Sequence, residues 1–167
     1  MLLDKKKVSA FTKVGAIILA IAFVSSMALF MLPSAAPTSS TTGRQITNMT
    51  ASQLIDQGNS YFDNKQYKEA SQMYEAALEK DPSNVDVRVD LAISYFYQND
   101  PARAVSEALK GLEVNPNHAK AHFNLGIFYQ SLGKKADARR EYEAYLKLEP
   151  NSDSANYARQ QISALGK

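Results

Sequence analysis

Three consecutive stretches decide the fold: ASQLIDQGNSYFDNKQYKEASQMYEAALEKDPSN (51–84), VDVRVDLAISYFYQNDPARAVSEALKGLEVNPNH (85–118) and AKAHFNLGIFYQSLGKKADARREYEAYLKLEPNS (119–152). Aligned at an interval of 34, they repeat Pro82, Pro116 and Pro150; Tyr61, Tyr95 and Tyr129; Ala70, Ala104 and Ala138; and Leu78, Leu112 and Leu146. A small residue recurs as Gly58, Ala92 and Gly126. Self-similarity at a fixed period marks a repeat architecture in which stacking supplies the core.

Each period holds two apolar stretches at helical spacing. The first helix pairs the small residue with tyrosine, so that a neighbour approaches closely beside a ring that fills the adjoining space. The second carries a stripe from Ala70, Ala104 or Ala138 into Tyr74, Ala77 and Leu78, into Ala108, Gly111 and Leu112, or into Tyr142, Tyr145 and Leu146. Proline disfavours helix at the residue before it and has no amide hydrogen, so Pro82, Pro116 and Pro150 each end a second helix. The Ser, Asn or His that follows is placed to cap the next helix. Turn signals inside each unit stand at Asp63-Asn64-Lys65-Gln66, Asn99-Asp100-Pro101 and Leu132-Gly133-Lys134, with Pro101 expected in the first turn of its helix.

This pattern resembles the tetratricopeptide repeat family over 102 of 167 residues. The resemblance implies an all-α fold of three helix-turn-helix repeats (51–84, 85–118, 119–152) in a short right-handed superhelix. Residues 153–167, with Tyr157, Ile162 and Leu165 apolar, read as a terminal capping helix. Departures are local. Gln57 stands where Leu91 and Leu125 are apolar, Arg88 and His122 occupy a position where the family favours a large residue, and Ala108 is small beside Tyr74 and Tyr142.

In that family the first helix of each repeat lines a protein-binding groove. Carried over by position, the groove residues are Ile55, Asn59, Phe62 and Asp63, then Val89, Ile93, Phe96 and Tyr97, then Lys120, Phe123, Asn124, Ile127 and Gln130. Such a surface suits an amphipathic helix or an apolar peptide of a protein partner. Helical spacing alone leaves open whether Phe96, Tyr97 and Phe123 meet a ligand or pack between helices. One subset of the family grips a peptide's terminal carboxylate with two lysines, two asparagines and an arginine. Here the equivalent positions hold Ile55, Asn59, Asp90, Lys120 and Asn124, of which Asn59 and Lys120 match, and this argues against tail binding of that kind.

Ahead of the repeats, Lys5, Lys6, Lys7 and Lys13 precede an uncharged run over residues 14–32, opening at Val14 and closing at Leu32. As a helix it would be roughly 28 Å long, close to a hydrocarbon core of about 30 Å. A single membrane-spanning signal anchor is therefore expected, a cleaved secretory signal being the alternative with its shorter apolar region. The lysines put residues 1–13 in the cytoplasm and the repeats beyond the membrane, periplasmic or extracellular. Residues 33–50, PSAAPTSSTTGRQITNMT, have the composition of a flexible linker. Within it, Asn48-Met49-Thr50 fits a glycosylation acceptor pattern of a kind that matches by chance.

The net charge of +2 arises in the first fifty residues; from residue 51 onward 14 Lys and Arg face 16 Asp and Glu. That balance opposes nucleic acid as the partner of the folded part. Cysteine is absent, and His118 with His122, though spaced for a shared metal, are the sole histidines, so neither a metal nor another cofactor is expected. With no phosphate loop or nucleophile motif either, the sequence is that of a non-enzymatic scaffold or assembly factor. Two alternatives stand beside it: a self-associating structural protein, and an organelle receptor whose repeats face the cytosol.

Overall fold

The structure, a computed structural model, describes Ile46 and residues 48–166. The expected anchor over residues 14–32, its lysines and most of the linker lie outside the described residues. Among those described, no helix is long and apolar enough to cross a membrane. Among the described residues seven complete helices follow one another: α1 (Ala51–Asp63), α2 (Tyr67–Lys80), α3 (Val85–Tyr97), α4 (Pro101–Val114), α5 (Ala119–Ser131), α6 (Lys135–Leu148) and α7 (Asp153–Ala164). Each packs on the next, and α3 also touches α5. The last linker residues join the fold, since Ile46 and Met49 pack against the core.

Local chemistry sets the helix ends. Thr50 closes a capping box on α1, accepting from the Gln53 amide at 3.2 Å while its own amide donates to Gln53 Oε1 at 2.8 Å. Asn84 accepts from the Val87 amide, His118 from the Ala121 amide and Asp100 from the Arg103 amide, with Pro101 in the first turn of α4 as its fixed φ favours. Ser152 departs from the expectation that each residue after a proline caps through its side chain. It makes no cap bond; its hydroxyl instead lies between the Glu149 carbonyl, to which it donates, and the Tyr145 hydroxyl. Within each pair the chain reverses through one left-handed residue, Lys65, Asn99 and Gly133 at φ 60°, 62° and 70°, again 34 apart. Glycine and asparagine enter that region at little cost, whereas lysine meets its Cβ clash.

The core is made where a second helix presses a ring onto a bare stretch of the first. A methyl group at Gly58 would lie 2.6 Å from the Tyr74 ring, and one at Gly126 would lie 2.5 Å from the Tyr142 ring. Both tyrosines are buried, and each ring stabilises the fold by about 1.5–3 kcal/mol through burial alone. The middle repeat replaces the glycine–tyrosine pair with Ala92 and Ala108, both fully buried. Ala108 is thus not simply a weakened contact: the smaller second-helix residue makes room for the methyl that the first helix gains.

Arg88 and His122 turn out to be ties across the repeat joints. Arg88 Nη1 is 3.1 Å from Glu107 Oε2, and its Nη2 donates to the Pro82 carbonyl at 2.9 Å. One period later His122 Nδ1 lies 2.8 Å from Glu141 Oε2 and Nε2 lies 2.9 Å from the Pro116 carbonyl. The same three positions, a cation-forming side chain, a glutamate and the proline carbonyl, bind the end of one second helix to the next pair. Polar residues stand where a large apolar one is usual because a glutamate and a proline carbonyl face each of them, although Arg88 Nε is left buried without a partner among the described residues.

Two outcomes follow. Gly126→Ala lowers stability by about 1–3 kcal/mol through overpacking against Tyr142, read as a fall in the urea midpoint at constant slope, while Ala92→Gly costs about 1–2 kcal/mol, the sum of helix propensity and one buried methyl. His122→Ala, which leaves Oε2 of the buried Glu141 without its partner while Arg140 keeps Oε1, costs about 1–3 kcal/mol. His122→Arg recovers most of that loss, since arginine already makes the tie one repeat earlier.

Candidate functional site

The first helices α1, α3 and α5 expose one face to a common groove of about 570 Å³. Its walls are Asn59, Phe62 and Asp63 from α1, Asp90, Ile93 and Tyr97 from α3, and Lys120 and Asn124 from α5, and Tyr74 reaches it from α2. The glycine contact explains that last residue. Because Gly58 lets the Tyr74 ring cross the helix pair, its hydroxyl emerges at the groove and donates to Asn59 Oδ1 at 2.8 Å.

Aromatic rings form one wall. Tyr97, 55% exposed, stacks on Tyr67 with centroids 4.8 Å apart and meets Phe62 edge-on at 5.9 Å. Charge sits opposite. Lys120 Nζ is 2.6 Å from Asp90 Oδ1, and Asn124 donates to the Lys120 carbonyl. The Tyr74 hydroxyl is pushed above its ordinary pKa, chiefly by burial and then by the negative charges of Asp90 and Asp63.

Seven of the thirteen positions carried over from the sequence line this groove, and six do not. Val89 is the clear correction, being fully buried. Its register position recurs as Phe123 and Tyr157, which touch at 5.8 Å, so this row packs helix on helix along the stack. Phe123 also lies against Tyr145 at 5.0 Å. Ile55 and Ile127 are half-buried against the core. Phe96 packs on Phe128 at 5.0 Å and borders a separate shallow depression with Asn99, Pro101 and Ser131. Gln130 is held by Gln161 and the Tyr142 hydroxyl. Of the three aromatics left open by spacing, Tyr97 faces the groove while Phe96 and Phe123 are mainly packing. Asp90 and Tyr74 were missing from the carried-over set. Asp90 stands three residues before Ile93 on the same helical face, and Gly58 signals what crosses beside it.

The histidines are both engaged. His118 caps α5 through Nδ1, with Nε2 3.1 Å from Asp86 Oδ1, and His122 makes the joint tie. No group of three or more metal-ligating side chains occurs among the described residues.

An all-helical array of repeated pairs with an open groove along its first helices defines a class of interaction domain. Two tetratricopeptide repeat family models match, over residues 61–113 and 89–155, and the chain belongs to the tetratricopeptide repeat family. It is 29% identical over 117 residues to rat serine/threonine-protein phosphatase 5, covering 70% of this chain and 23% of that protein. It is 31% identical over 121 residues to human RNA polymerase II-associated protein 3, covering 72% and 18%. The chain thus spans about a fifth of the length of these relatives, and the phosphatase matches through its repeat region alone. Among solved structures it resembles the first TPR of Spaghetti (RPAP3) bound to HSP90 peptide SRMEEVD, with TM-score 0.66, 32% identity and coverage of 71% of this chain and 94% of that one. The first TPR domain of human RPAP3 matches at TM-score 0.66 and 31% identity, covering 70% and 91%.

The contrast between the two α3 positions is testable. Val89→Asn buries an unpaired amide and costs about 2 kcal/mol or more. Tyr97→Asn removes exposed ring contacts and costs about 1 kcal/mol. Thermal or urea unfolding of the two variants measures the difference.

Proposed function

We propose that this protein is a membrane-anchored scaffold or assembly factor whose groove binds a peptide or helix of a partner protein. The observation that carries the reading is the groove itself. Three first helices combine exposed rings and a few polar groups on a rigid frame, the form in which apolar anchors and orienting hydrogen bonds recognise a peptide. A similar repeat domain, the first TPR of Spaghetti, has been solved bound to a peptide, which supports a peptide as the kind of ligand.

The setting rests on the sequence. The uncharged run over residues 14–32 supports a single anchor, and the lysines before it support repeats held outside the cytoplasm, periplasmic or extracellular. Residues 33–50 would then space the groove from the bilayer.

Crosslinking in the native membrane, followed by identification of what is captured, supplies the partner. Against that partner, Phe62→Ala with Tyr97→Ala weakens binding by about tenfold or more, the loss expected when central aromatic anchors are truncated. An unchanged affinity for the double variant removes the groove from consideration. Protease added to cells whose outer envelope has been opened while the inner membrane stays sealed digests the repeats if they lie beyond that membrane; protection overturns the orientation.

A further inference from the structure

We propose that the groove selects a cationic segment: a peptide of the partner that presents a lysine or arginine among apolar residues, seated between Asp63, Asp90 and the Tyr97 ring. This rests on the groove being the peptide site. It follows from counting the charged groups that line it. Asp63 and Asp90 bring two carboxylates and Lys120 one ammonium. Lys120 is not held in reserve for a ligand, because its Nζ already pairs with Asp90 at 2.6 Å.

Asp63 is exposed and makes no ion pair or hydrogen bond among the described residues. An arriving carboxylate therefore meets an unpaired like charge and a lysine it must take from Asp90. An arriving ammonium or guanidinium meets a free carboxylate, with a second whose cation it shares. Partner potentials of opposite sign favour the latter and penalise the former.

Two further observations agree. The phenol of Tyr74, at the edge of the groove, has its ionisation opposed first by burial and then by the charges of Asp90 and Asp63, so both carboxylates act on this edge of the groove. Tyr97 and Phe62 offer ring faces and edges beside those carboxylates, and a cation held over a ring within about 6 Å gains from the ring's quadrupole.

A displayed library of random dodecapeptides selected on the full chain in detergent micelles tests this, with Tyr97→Ala in the full chain as the control for groove binding. The expected result is enrichment of lysine and arginine and depletion of aspartate and glutamate among peptides that lose binding to Tyr97→Ala. Changing the central cation of the best such peptide to glutamine lowers its affinity about tenfold in fluorescence anisotropy, and the preference shrinks at high salt. With Asp63→Asn and Asp90→Asn together, Lys120 becomes the one charge of the groove, and selection shifts toward acidic peptides. That reversal cannot come from a variant that has merely unfolded. Groove-dependent peptides with no charge bias, or with an acidic one on the native chain, overturn the cation assignment while leaving the groove reading intact. If no recovered peptide depends on Tyr97, both fall.

Discussion

Tyr74 lying flat against α1 at Gly58, and Tyr142 against α5 at Gly126, is the contact on which the rest depends. A helix pair of this size has too little apolar surface to be stable alone, so its two helices must fit closely before the pair can stack on the next. A bare glycine backbone opposite a large ring gives that fit with little void, and close packing is what makes interior contacts strong. The same ring carries its hydroxyl through the pair to Asn59, so one interaction both builds the core and furnishes the edge of the groove. Fold and site are therefore not separable here.

The joints between pairs are held differently. Glu107 and the buried Glu141 are held by Arg88 and His122, which reach the carbonyls of Pro82 and Pro116 through Arg88 Nη2 and His122 Nε2. Proline leaves no amide of its own to satisfy, and its carbonyl becomes the anchor for the neighbouring repeat. Directional ties of this kind fix the angle between pairs more sharply than apolar contact does, since a hydrogen bond weakens steeply with misalignment.

The groove itself is an uncommon mixture for a surface of its size, with two stacked tyrosines and a phenylalanine beside three charged groups of which two neutralise one another. Burial of Lys120's charge against Asp90 costs little because both remain partly in water, the lysine side chain 46% and the aspartate 28% exposed. What is left over is the charge of Asp63 and the open face of Tyr97. Those two features, rather than the size of the cavity, set what chemistry the groove favours.

Most of the fold was legible in the sequence because its determinants are local and repeated three times. Prolines end helices, Asn84 and His118 cap them, Asp100 and Pro101 start one, and these need no knowledge of distant residues. Ser152 departs from the capping pattern because its hydroxyl is engaged by the Tyr145 hydroxyl and the Glu149 carbonyl, partners that the local sequence does not reveal. The anchor over residues 14–32 is a reading of hydrophobicity and charge alone. The site was legible only in part. Periodicity placed Val89 and Ile93 on one helical face, four residues apart, yet the first is sealed between stacked helices and the second faces open groove. Likewise nothing local joins Asp90 to Lys120, 30 residues on. Helical register determines which way a side chain points, and the sequence by itself determined that. Whether it then meets a neighbour or solvent depends on how closely the next pair stacks, and only the tertiary structure decided this.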